Sequence, residues 1–181
     1  MANDWFNKEK VEEKKSLTPA LPNNSGLISK GEGAISRDMV KIWVHVIWST
    51  AYQQGVLYDG LRKKLFPYMR EYCAIRGIEI DCIGGHVDHI HCLFKYSSFK
   101  HLERNVDDIK RDSALWINKH GLVGGDDKFK WDRYFIGVSI GQSSVDVLRE
   151  YIRCQDWVHG RKSFREEVEE VMGKYGLGES E

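Results

Sequence analysis

The chain has 181 residues, 41% hydrophobic and 30% charged, enough for one domain with a proper core and extensions at its ends. Its 27 Lys/Arg balance 27 Asp/Glu, which argues against a protein that grips long duplex DNA through many phosphates. No apolar run approaches the roughly 20 residues of a membrane span, the N-terminus lacks an apolar signal core, and the four cysteines show no CxxC pairing, so a soluble cytoplasmic protein is expected.

Residues 1–38 combine a charged stretch with a Pro/Asn/Ser/Gly-rich run that cannot bury enough apolar surface to offset its ordering entropy, and are expected to form a flexible tail. Residues 40–50 alternate β-branched and aromatic side chains and are apolar on both faces, as a central strand is. His45 lies within that strand and is read as a satisfied core residue. Residues 58–76 place Leu61, Leu65, Met69, Tyr72 and Cys73 at helical intervals, with Gly77 as the stop. Pro67 is expected to kink or break this helix.

A second strand, residues 78–83, is expected to turn at Gly84-Gly85 into residues 87–94, Val-Asp-His-Ile-His-Cys-Leu-Phe. Strand alternation sends Ile90, Cys92 and Phe94 to one face and His89 and His91 to the other. Two neutral imidazoles side by side can converge on one divalent cation. His86, at the mouth of the turn, is either a supporting group or a polar turn residue. Residues 98–120 carry a broad helical apolar stripe behind a candidate Ser98 cap.

Residues 129–140 read as an aromatic strand. Within and beside it Lys128, Lys130 and Arg133 interleave with Trp131 and Tyr134, a pattern that suits stacking of unpaired bases beside a phosphate backbone. Residues 144–155 have helical spacing, with Tyr151 and Gln155 one turn apart, so that a phenol and an amide oxygen can face the same ion. Residues 160–181 are expected to be a helical tail on a polar surface, with a narrow apolar edge of Phe164, Val168 and Val171 and no assigned chemistry.

The paired histidines of Asp88-His89-Ile90-His91, the aromatic strand 131–139 and Tyr151-Ile152-Arg153-Cys154-Gln155 resemble, in order and spacing, the signatures of the single-tyrosine transposases of the His-hydrophobic-His superfamily. These enzymes move insertion sequences, or act on repetitive extragenic palindromes, as single-stranded DNA. The likeness covers residues 39–159. It implies a metal-dependent endonuclease and transesterase with Tyr151 as nucleophile, and His89, His91 and Gln155 as ligands of Mg²⁺ or Mn²⁺. It further implies a 5′-phosphotyrosine intermediate, single-stranded DNA carrying a hairpin as substrate, and a homodimer in which the tyrosine helix can be supplied in trans. The β-α-β-β-α-β-α order is that of an α+β, ferredoxin-like or RRM-like domain: an antiparallel sheet with helices on one face and the tyrosine-bearing helix over the other. The competing reading is a non-catalytic single-strand-binding module of the same fold. A histidine-triad hydrolase fits poorly, because the gap from His86 to His89 reverses the face of His86.

Overall fold

The computed structural model describes residues 40–96, 101–125 and 127–178; the expected tail over residues 1–38 and the expected Ser98 cap lie outside them. Four strands, β1 (Ile42–Ser49), β2 (Glu79–Gly85), β3 (His89–Tyr96) and β4 (Ile136–Ile140), form one sheet in the order β2-β3-β1-β4. Every neighbouring pair is antiparallel. Helices α1 (Asp59–Ile75) and α2 (Leu102–Lys119) pack on one face of it, while α3 (Val145–Arg153), α4 (Gln155–His159) and α5 (Phe164–Tyr175) follow β4. This is the ferredoxin-like α+β arrangement expected from the order of elements.

The register of the central pair divides the side chains. His45 lies opposite Leu93, Ile47 opposite His91 and Ser49 opposite His89, and residues opposite one another in an antiparallel pair share a face. The other face carries Val46, Trp48, Ile90, Cys92 and Phe94, buried in one cluster with Leu61, Leu65 and Met69 of α1 and Val106, Ile109 and Ile117 of α2. Each of those fully buried aliphatic side chains stabilises the fold by about 2 kcal/mol. This core anchors β3, so the histidines on its reverse side sit on a rigid support.

A bulge between Ile80 and Cys82 switches the faces of β2. Ile80 pairs with Phe94 on the core side, but beyond the bulge Cys82 pairs with Leu93 and Gly84 with His91 on the histidine side, since one extra residue reverses the alternation. Gly84 and Gly85 therefore belong to the strand, and the turn is made by residues 86–88. Both positions need a bare backbone. A Cβ on Gly84 would collide with the Ile152 carbonyl of α3, and one on Gly85 with the backbone of His89 and Ile90.

Three other expectations are corrected. Helix α1 runs through Pro67 as one helix, because the ring lies on the exposed side, where water can take the carbonyl it leaves without a donor. The strand expected over residues 129–140 shrinks to β4, with Trp131 contributing only an isolated bridge to Thr50. Side chains of α2 claim that backbone instead: the Asn118 amide bonds both the N–H and the carbonyl of Phe129, and Lys110 Nζ donates to the Arg133 carbonyl. The tyrosine helix ends at Arg153, with Cys154 between α3 and α4. Among the described residues, no helix is long and apolar enough to cross a membrane.

Candidate active site on the covered sheet face

Helix α3 forms because Val145, Leu148 and Ile152 line one side and are buried, with Asp146 in the first turn and Arg153 in the last, charges that suit the helix dipole. A fork fixes its position: Arg149 Nε and Nη2 donate to the two oxygens of Asp81 on β2, at 2.7 and 2.6 Å. The Arg149 guanidinium in turn holds the Asp81 carboxyl below the usual carboxylate range. At Gly84 the helix backbone lies directly on the strand. The Tyr151 ring then stands edge-on to His91 with centroids 5.9 Å apart.

The tyrosine helix does not cover the histidine face of the sheet alone. His89 and His91 are 0% exposed, Gln155 1% and Tyr151 3%, because α5 lies over them. The tail to which no chemistry was assigned supplies the centre of the cluster. Glu167, on α5, is fully buried; the Tyr151 hydroxyl donates to its Oε1, His91 Nε2 lies 3.4 Å from Oε1, and His159 Nε2 lies 3.1 Å from Oε2. Phe164 stacks on His89 with centroids 4.2 Å apart. Burial pushes the Glu167 carboxyl up, but its interactions with His91 and His159 outweigh that and hold the group well below its usual range. Burial, reinforced by that carboxylate, raises the Tyr151 phenol far above its ordinary value.

Groups around the histidines fix their orientation. Asp88 Oδ1 lies 2.6 Å from His89 Nδ1; a carboxylate can only accept, so Nδ1 carries the proton and the Nε2 lone pair turns inward. His91 Nδ1 lies 2.9 Å from His45 Nε2, so His45 is the satisfied core residue expected, and the partner that satisfies it is His91. Burial drives both rings toward the neutral form, the form that ligates metals. His86 supports the rim: Nδ1 lies 3.0 Å from Asp156 Oδ1, which Arg62 also holds, and the ring stacks on His159.

The residues present fit a divalent ion. Gln155 Nε2 donates to the Tyr151 carbonyl, which turns Oε1 toward His89 Nε2 at 3.2 Å. A lone pair thus faces an acceptor oxygen, a pairing that a cation between them resolves. One ligand atom from each of His89, His91 and Glu167 lies within 4.8 Å of the others, and ligands about 2.1 Å from an octahedral ion sit roughly 3 Å apart. His91 Nε2 and Glu167 Oε2 are moreover buried without a hydrogen bond of acceptable geometry. Mixed imidazole and oxygen donors can hold Mn²⁺ and, more weakly, Mg²⁺.

The expected nucleic-acid residues divide. Lys128, Lys130, Arg133 and Tyr134 are exposed. Trp131 is 8% exposed, donates from its indole to Ser113 Oγ and packs edge-on against Trp48 and Phe129. It is core and presents no free face to a base. Two site residues escaped the sequence reading although a signal was there. His159 continues the i, i+4 row of Tyr151 and Gln155, and Glu167 falls on the same side of α5 as Phe164 and Val171.

Residues 38–155 match the family described as "Transposase IS200 like". Among solved structures, a candidate transposase of Deinococcus radiodurans R1 is similar at 21% identity and a TM-score of 0.51, covering 69% of this chain and 95% of that one. A REP-associated tyrosine transposase bound to a REP hairpin is similar at 16% identity and a TM-score of 0.52, covering 68% of this chain and 72% of that one. At these identities the two structures speak for the fold. No curated protein matches at a significant level.

Proposed function

From its place in the IS200-like transposases, the family to which this chain belongs, we propose that the protein cuts and rejoins single-stranded DNA beside a hairpin, with Tyr151 as the nucleophile. The observation that carries this is the meeting of Tyr151, His89, His91 and Gln155 in one buried cluster on the reverse of the sheet. The Tyr151 oxygen attacks the scissile phosphorus, the bond from phosphorus to the 3′ oxygen breaks, and the phenol proton ends on the departing 3′ hydroxyl. One ester replaces another, so rejoining by a second 3′ hydroxyl needs no nucleotide cofactor.

His89, His91 and the Gln155 oxygen would hold Mg²⁺ or Mn²⁺, which when bound supplies positive charge to the phosphate oxygens. Asp88 keeps the His89 Nε2 lone pair turned inward, and His45 holds the outer nitrogen of His91. The Asp81–Arg149 fork and the bare backbone of Gly84 set the approach of Tyr151 to His91. Lys128, Lys130, Arg133 and Tyr134 offer exposed cations and an aromatic face to the strand. A hairpin in the substrate is supported by the motif resemblance, and one of the similar structures holds such a hairpin.

The seating of α3 on β2 and β3 of its own sheet supports a tyrosine that acts in the chain carrying the histidines. A homodimer that exchanges this helix is the alternative, and mixing Tyr151→Phe chains with His89→Ala chains separates the two: recovered cleavage requires exchange. The test of the reading as a whole is incubation with a pool of hairpin-bearing single-stranded oligonucleotides, in Mn²⁺ or with chelator. A denaturation-resistant protein–DNA adduct, lost with chelator and in Tyr151→Phe, is expected. Binding without an adduct in any condition would leave only the non-catalytic module.

A further inference from the structure

Building on that reading, we propose that α5 is a latch whose Glu167 carboxylate occupies the seat of the scissile phosphate, so that the chain rests closed and takes up DNA only after α5 withdraws. The carboxylate touches the groups a phosphate must reach: Tyr151, His91 and His159 all approach its two oxygens. Phosphate and carboxylate are both anions with oxygens on one centre, and both suit a cluster of N–H and O–H donors. With His89, His91, Gln155 and Tyr151 no more than 3% exposed, a phosphodiester flanked by two sugars has no route to the phenol. A carboxylate retained beside it would repel it at close range, where the dielectric is low.

The helix is built to move as a unit. It carries its own N-terminal cap, in which Ser163 Oγ accepts from the Glu166 N–H and the Glu166 carboxylate accepts from the Ser163 N–H, so it keeps its end when detached. A four-residue link, residues 160–163, which begins at Gly160, joins it to α4. Its seat is made by side chains: the ring of Phe164 on His89, the carboxylate of Glu167 and buried Val171. The seat also assigns His159 a place, as a residue that holds the substrate phosphate once Glu167 leaves it.

The opposite role for Glu167, as a metal ligand or proton acceptor in the cut itself, predicts effects of opposite sign. The full chain is compared as wild type, Glu167→Ala, the isosteric Glu167→Gln, and Glu169→Ala, which removes the same charge from the exposed side of the same helix. Binding of a hairpin oligonucleotide is measured in chelator, where no cut is made, alongside hydrogen exchange of the α5 amides. The latch predicts at least tenfold tighter binding for both Glu167 variants relative to Glu169→Ala, faster α5 exchange when DNA is added to wild type, and a faster adduct in Mn²⁺. Binding equal to that of Glu169→Ala, or α5 amides that slow on DNA addition, would overturn it. Tighter binding by the Glu167 variants with no adduct from any chain would keep the latch and remove the cleavage reading.

Discussion

Substituting Gly84 tests how the nucleophile is positioned without touching a reacting group. A Cβ there would come within 3.0 Å of both the carbonyl carbon and Cγ2 of Ile152, and closer still to the carbonyl oxygen. Carbon atoms prefer about 3.5 Å, so α3 must retreat by at least about 0.5 Å, and by more to free the oxygen. Ile152 follows Tyr151, and Gly84 pairs with His91, so the retreat carries the phenol away from the imidazole. Overpacking of this kind costs about 1–3 kcal/mol, and displacement on this scale lowers the rate of an oriented reaction by about 10- to 100-fold. Gly84→Ala is therefore expected to lose stability in urea titration and to form adduct more slowly, with DNA affinity less affected. Gly124→Ala, where a Cβ meets nothing within 4 Å, is the control and should stay within about 0.5 kcal/mol of wild type. A Gly84→Ala protein matching that control in stability and rate would refute the argument.

The Asp81–Arg149 fork gives a pH signature. The Asp81 carboxyl is held below its ordinary value by Arg149, so its contribution is complete above about pH 4 and is lost as pH falls through the depressed value; Asp81→Asn should cost about 1 kcal/mol at neutral pH, discounted for the partly exposed partner, and should flatten the acid limb of a stability profile. Trp131→Ala should destabilise by about 3–5 kcal/mol, whereas Tyr134→Ala should leave the melting temperature alone and weaken single-strand binding by about 1–3 kcal/mol; the reverse pattern would return Trp131 to the nucleic-acid surface. His45→Ala should weaken Mn²⁺ binding, followed by its paramagnetic resonance, by about 10- to 100-fold, and unchanged affinity would reduce His45 to packing.

The fold was largely legible because its elements are locally consistent. Alternation over residues 40–50 and 87–94 reports two central strands, and the row of Leu61, Leu65 and Met69 reports a helix that buries one side. The face and convergence of His89 and His91 also followed from period two, and the nearness of Tyr151 to Gln155 from the helical turn. Failures arose where a distant partner decides. Lys128 to Tyr134 alternates like a solvated strand, but α2 supplies Asn118, Lys110 and Ser113 to its backbone and indole, and no local pattern announces that. Glu167 sits in a run of charges typical of a surface helix. What distinguishes it from Glu166 and Glu169 is its alignment with Phe164 and Val171, which matters only once α5 lies over two histidines more than seventy residues earlier. His45 reads as core because it is core, and its bond to His91 depends on strand pairing that sequence periodicity does not report.

The central claim is that Tyr151 forms the covalent bond to DNA beside His89 and His91, and peptide mapping of the adduct tests it most directly. After nuclease and protease digestion, mass spectrometry is expected to find the 5′-phosphate on the peptide containing Tyr151, and no adduct in His89→Ala. A phosphate carried by another residue, or an undiminished adduct in Tyr151→Phe, would contradict the account.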